Sequence, residues 1–193
     1  MTSVKEEFID IFTTNVTRQC ADKLLDYLTN SDFFTAPASA RFHLAEEGGL
    51  CQHSVNVYKR LVKIVQDEYG DNSPYSAETL AICGLLHDVC KVNFYKVDYR
   101  NTKNEDGAWV KVPYYGVDER FPFGHGEKSV FIISQYLKLT AEEAMAINWH
   151  MGGFDDRVRG GSRSLSEAMA KYKLVLLMHI ADLQASYLDE ERF

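Results

Sequence analysis

Leu80–Leu86 (LAICGLL) is apolar on every side of a helix, and it stops at two ionisable residues, His87 and Asp88. A helix without a polar face belongs at the centre of a packed bundle, so this chain carries an imidazole and a carboxylate into its interior. Either group is costly there if unpaired. Four further residues sit in or beside apolar helical sequence: His53 in GGLCQHSVNV, His125 in FPFGHGEKS, His150 in INWHMGGFD and Asp182 in LMHIADLQAS. A divalent metal cluster accounts for all six at once. Taken singly, His53 reads as a hydrogen-bonded core histidine and Asp182 as a cap on a neighbouring group; the joint pattern favours the metal.

The rest of the chain supplies the helices such a cluster needs. Ser3–Thr14 and Thr17–Thr29 read as amphipathic helices, and Arg41–Glu47 as a short helix ended by Gly48-Gly49. Leu50–Tyr69 carries Leu50, His53, Val57, Leu61, Ile64 and Val65 at helical spacing, which turns His53 inward. Ser76–Cys90 is expected as one helix. Residues 92–116 instead alternate Tyr95, Val97 and Tyr99 with Lys96, Asp98 and Arg100 around an Asp106-Gly107 turn, the pattern of a β-hairpin or flap. Helices resume over Gly126–Lys138 and Ala141–His150, the latter opened by a Thr140/Glu143 capping box; a glycine-paired loop follows, then a last helix over Ser166–Leu188. The expectation is one all-α domain over residues 1–193, with residues 1–38 as an N-terminal helical extension and residues 92–116 as an inserted hairpin.

No apolar run is long enough to span a bilayer, no basic leader precedes an apolar stretch, and the four cysteines show no C-x-x-C pair. A reduced, cytoplasmic protein is expected, with Cys83 and Cys90 behaving as small buried hydrophobes. The formal charge of −7 argues against general nucleic-acid binding, which needs a dense cationic face, but leaves room for a small anionic substrate held by metals.

Phosphoester hydrolysis needs a nucleophile, usually a metal-bound hydroxide, and cations against the phosphoryl oxygens. Imidazole and carboxylate together suit Mn²⁺, Fe²⁺, Co²⁺, Ni²⁺ or Zn²⁺. His87 and Asp88, adjacent on one helix, lie about 100° apart in azimuth. His53, His87 and Asp182 then complete a first site with Asp88. His125 and His150 are available for a second ion, with Asp88 shared between the two. Paired ions of this kind sit ~3.5–4 Å apart.

The order H…HD…D, seen as His53, His87-Asp88 and Asp182, resembles the HD-domain superfamily of metal-dependent phosphohydrolases. GGLCQHSVNV, LLHDVCKVNFY, GHGEKS and WHMGGFD carry the likeness over about residues 40–190. His125 and His150 look like the extra histidines of its dinuclear branches, which include cyclic-dinucleotide phosphodiesterases. His43 followed by Gly48–His53 is similar to a stretch of a bacterial 3′→5′ exoribonuclease group. Cys90 stands where HD-x-G-K commonly has glycine. The resemblance implies an all-α HD-domain bundle that hydrolyses a phosphate ester.

Around the ligand set, Asp88, Lys91 and Lys128 are the expected catalytic residues. Lys91, three positions after Asp88, either binds a substrate phosphate or pairs with Asp88; Lys128 either binds phosphate or is a surface lysine beside Glu127. His43 and the loop residues Arg157, Arg159 and Arg163 are further substrate-binding candidates. His179 reads first as a core-packing residue and otherwise as a support of the ligands, Asp155 as a support or a positioner of water outside the ligand set, and Trp149 either stacks on a base or fills the core. The leading expectation is hydrolysis of a nucleotide or related small phosphorylated molecule by attack of a metal-bound hydroxide. The alternatives are a 3′→5′ exonuclease-like phosphodiesterase, a non-catalytic nucleotide-binding sensor and, more remotely, a di-iron oxygenase. Oligomerisation stays open.

Overall fold

The computed structural model describes residues 2–190. Helices dominate: α1 (Val4–Asn15), α2 (Ala21–Asn30), α3 (Gly49–Tyr69), α4 (Ala77–Leu86), α5 (His125–Ser134), α6 (Ala141–Asn148), α7 (Asp156–Arg159), α8 (Ser164–Lys171) and α9 (Lys173–Gln184). The expected hairpin is present as β1 (Tyr95–Lys103) paired antiparallel with β2 (Trp109–Val117), in register from Tyr95 opposite Val117 to Lys103 opposite Trp109. Among the described residues no helix is long and apolar enough to cross a membrane.

α4 is buried from Leu80 to Leu86, as its sequence demands, and packs along α3. α9 also packs along α3, and α6 packs against α4 and α9. Phe8 and Phe12 of α1, with Leu24 and Leu28 of α2, close the same core from the N-terminal side. Two glycines let the helices meet closely. A Cβ on Gly84 would stand 2.6 Å from the Tyr58 Cα, and one on Gly126 would stand 2.1 Å from the Asn148 oxygen. These contacts draw α4 onto α3 and α5 onto α6. The first pair carries His53 and leads into His87; the second carries His125 and leads into His150.

Several expected helices differ, α2 beginning at Ala21 rather than Thr17 and α5 ending at Ser134 rather than Lys138. Residues 41–47 form turns rather than a helix, because Ala38 N–H donates to the Leu44 carbonyl (3.0 Å) and Ser39 Oγ donates to the His43 carbonyl (2.8 Å), closing a loop. Gly48-Gly49 accordingly opens α3 instead of ending a helix. The helix expected over Ser76–Cys90 stops at Leu86, and a 3₁₀ turn (Val89–Lys91) follows. The helix expected over Ser166–Leu188 breaks at extended Tyr172 (φ −127°, ψ 106°), where α8 turns back so that Leu165 and Ala168 pack with Trp149 and Val175. After α9 a single π-helical turn (Ala185–Asp189) widens the coil.

Candidate metal centre

His87 ends its helix with its own side chain. Its Nδ1 donates to the Gly84 carbonyl (2.9 Å), the acceptor that the Asp88 N–H would need for another helical turn. Asp88 therefore leaves the helix (φ −104°, ψ 16°) and is not successive with His87 on one helical face. His150 repeats the device beyond α6: its Nδ1 donates to the Ile147 carbonyl (2.6 Å). In both histidines the ring proton is committed to a carbonyl, so Nε2 carries a lone pair and points elsewhere.

It points into the cluster. His53 and His87 bring their Nε2 atoms within 3.2 Å of each other. Asp182 Oδ1 stands 3.3 Å from His53 Nε2, and Asp88 Oδ2 stands 3.4 Å from it. The two Asp88 oxygens divide the four imidazoles: Oδ2 lies 3.5 Å from His87 Nε2, whereas Oδ1 lies 2.8 Å from His125 Nε2 and 3.4 Å from His150 Nε2. All six residues expected as ligands thus meet at one place. His53, His87, Asp88 and His150 are almost wholly buried, while the His125 side chain is 31% exposed.

Glu190 completes the arrangement, and the sequence reading missed it. Its carboxylate accepts from His53 Nδ1 (3.0 and 3.2 Å), from Asn56 Nδ2 (3.0 Å) and from His43 Nδ1 at very short range. With its Nδ1 proton held there, a neutral His53 would present its lone pair at Nε2. A carboxylate in this position fixes the ring and raises its basicity toward a cation. His43 therefore sits behind His53, tethered to Glu190. His179 supports the centre from another side by donating from Nδ1 to the His150 carbonyl (2.7 Å).

The outcome is a cluster crowded with lone pairs, in which the buried His150 Nε2 has no hydrogen-bond partner among the described residues. Such a set is stable only around positive charge. In the protein alone that charge is protonic. Burial works to lower His53, but hydrogen bonds to Asp182, Asp88 and Glu190 raise it well above an ordinary histidine. Burial pushes His87 down to about 3, so it stays neutral. Burial opposes ionisation of Asp88 and Asp182, yet Lys91 and the hydrogen bond from His125 hold the first well below the usual carboxylate range, and His53 holds the second there. His87 and the two carboxylates are thus in the form that binds a metal, whereas His53 and His125, the latter raised against burial to about 10 by Cys90 and Asp88, must give up a proton first. The donor set could hold one ion among His53, His87, Asp88 and Asp182, and another among Asp88, His125 and His150.

A cavity of about 290 Å³ opens beside it, lined in part by Cys90, Lys91, Phe94, Glu119, His125 and Lys128. Lys91 Nζ lies 2.6 Å from Asp88 Oδ2, an approach the 3₁₀ turn delivers without the helix expected to carry it. Lys128 is buried rather than on the surface; it pairs with Glu119 (2.8 Å), not Glu127, and lies over the Phe94 ring.

The loop arginines do not join this group. Arg157 is bound by both Asp155 oxygens, by Asn148 and by Glu127, and its guanidinium stacks 3.8 Å from the Trp149 ring centroid. These contacts pin the loop. Arg159 is exposed beside Asp156, and Arg163 is exposed at the start of α8.

The family model of the HD domain matches residues 50–184. No curated protein and no solved structure matches the chain.

Proposed function

The chain belongs to the HD-domain family, whose members bind divalent metals and are generally metal-dependent phosphohydrolases, and from this premise we propose that it hydrolyses the phosphate ester of a nucleotide or a related small phosphorylated molecule. The observation that carries the reading is the cavity: two cationic side chains, Lys91 and Lys128, line a space of about 290 Å³ that reaches His125. That size lies at the small end of ligand pockets, about 300–1,000 Å³. It suits a phosphoryl group with a compact remainder better than a length of polynucleotide.

His53, His87, Asp88 and Asp182 would hold one ion, and Asp88, His125 and His150 a second. When bound, such ions make water a better nucleophile at neutral pH and neutralise phosphoryl oxygens. The protein's own part is positioning. Lys91, anchored by Asp88, and Lys128, held by Glu119, place two ammonium groups where charge gathers as the ester bond breaks. Both are fixed before substrate arrives, so little is lost in ordering them.

A phosphate-release screen over nucleotides and simple phosphate esters, run with Mn²⁺, Fe²⁺ or Co²⁺, tests the proposal. At least one small ester is turned over, and His87→Ala and Asp88→Ala abolish turnover. Full activity in either variant would overturn the reading. So would tight nucleotide binding with no product over long incubation, the behaviour of a sensor. Stepwise digestion of a labelled oligonucleotide in preference to every small ester would replace it with exonuclease chemistry.

A further inference from the structure

Cys90 stands apart from the other buried cysteines. Cys51 and Cys83 belong to the apolar core cluster, whereas Cys90 is equally buried but turned toward His125. Its Sγ lies 3.7 Å from His125 Nε2 and 3.5 Å from His125 Nδ1. Sulfur, a His125 nitrogen and an Asp88 oxygen all fall within 4.8 Å of one another. The position is held from the backbone: Cys90 N–H donates to Ser129 Oγ (3.1 Å) on α5, the helix that His125 begins. His150 Nε2, buried and without a hydrogen-bond partner among the described residues, lies 3.4 Å from Asp88 Oδ1, the oxygen that His125 Nε2 also approaches.

A thiol makes a poor hydrogen-bond partner for imidazole but, once deprotonated, a strong metal ligand. Two donors sharing one ion, with metal–sulfur about 2.3 Å and metal–nitrogen about 2.0–2.1 Å in tetrahedral geometry, stand about 3.5 Å apart. The sulfur–nitrogen spacing here is close to that. We propose that Cys90 is a further ligand of the ion held by Asp88, His125 and His150, making this second site one of mixed thiolate, imidazole and carboxylate character. The inference rests on the two-ion reading above and deepens it. Binding breaks the S–H bond, releases that proton to solvent and forms a sulfur–metal bond, with no change of oxidation state in either. Thiolate selects borderline or soft ions, so the site favours Zn²⁺ or Co²⁺ over Mn²⁺ or Mg²⁺. The remaining site, without sulfur, keeps a harder preference.

Titration of the chelator-stripped full chain with Co²⁺ tests this by absorption. The expected result is a near-ultraviolet thiolate-to-cobalt charge-transfer band in addition to the visible d–d bands. Cys90→Ser and Cys90→Ala lose the first and keep the second. Because either variant can fail to fold, X-ray absorption at the zinc edge is measured on the unaltered protein, where a sulfur scatterer at about 2.3 Å is expected. Cobalt uptake with d–d bands but no charge-transfer band, or a band that survives in Cys90→Ser, overturns the role of Cys90 and leaves the imidazole–carboxylate centre standing. Absence of any cobalt or zinc binding overturns both.

Discussion

Which nitrogen of each histidine carries the proton is settled by what stands behind the ring. Gly84 and Ile147 offer carbonyls to His87 and His150, and Glu190 offers a carboxylate to His53. Removing Glu190 frees the His53 tautomer and buries an unsatisfied N–H. Glu190→Ala should weaken metal binding by about 10–100-fold, the usual cost of losing such a partner, with a smaller loss in Glu190→Gln. Competition against a calibrated chelator measures this; unchanged affinity in Glu190→Ala would mean that the carboxylate only ties down the chain end. The six ligand candidates were legible in the sequence because each interrupts or borders apolar helical sequence, where a charge needs a reason. Glu190 was not, because it lies among Asp189, Glu190 and Glu191, indistinguishable there from a solvated acidic end. Cys90 gave a signal only as a departure from glycine. Of the loop arginines, Arg157 is taken up by Asp155, Asn148 and Glu127, and Arg159 lies beside Asp156; the two aspartates are close enough in sequence to have suggested the pairing.

Helices place these residues by how they end and where they cross. Periodicity identified most of them within a few residues, α3 and the hairpin best of all. It overran α4 because the terminator is the His87 side chain, not a glycine or proline. It missed the break at Tyr172, which depends on α8 packing back against Trp149, a contact distant in sequence. One cross-link between elements makes a clear prediction. Arg18, between α1 and α2, forms a two-pronged pair with the fully buried Glu143 of α6 (2.6 and 2.7 Å) and also binds Glu78 of α4. Arg18→Ala leaves Glu143 with Thr79 and the Thr140 N–H alone, and should cost about 3 kcal/mol in denaturant unfolding, the lower end for a broken buried pair. Burial raises the Glu143 carboxyl, but Arg18 outweighs it and leaves it below its ordinary 4.5. A lowered folded-state value means stability that is present above that ordinary value and is lost as pH falls through the lowered one. Unfolding followed from about pH 5 to about pH 3 should therefore fall more steeply in the native protein than in Arg18→Ala. Parallel curves would show that this pair does not set the acid response.

For the molecule as a whole, the centre is also a fastening. Its ligands come from α3, the turn after α4, α5, the end of α6 and α9, so an ion bound there joins most of the bundle. A ligand that binds only the folded state stabilises by about 2.7 kcal/mol at a free concentration a hundredfold above its Kd. For a chain of this length that raises Tm by about 5–10 °C. Scanning calorimetry with and without chelator should show the difference, and equal Tm values would separate the cluster from folding. The hairpin contributes little to this, since Tyr99 and Trp109 are 62% and 69% exposed on a ribbon that projects from the helices. That the buried groups of the centre converge on a cation is tested by elemental analysis of protein purified without chelator. One or two divalent transition-metal ions per chain are predicted, falling to background in His87→Ala and Asp88→Ala. A correctly folded protein that carries no ion, and takes none up from added Mn²⁺, Co²⁺ or Zn²⁺, would contradict it.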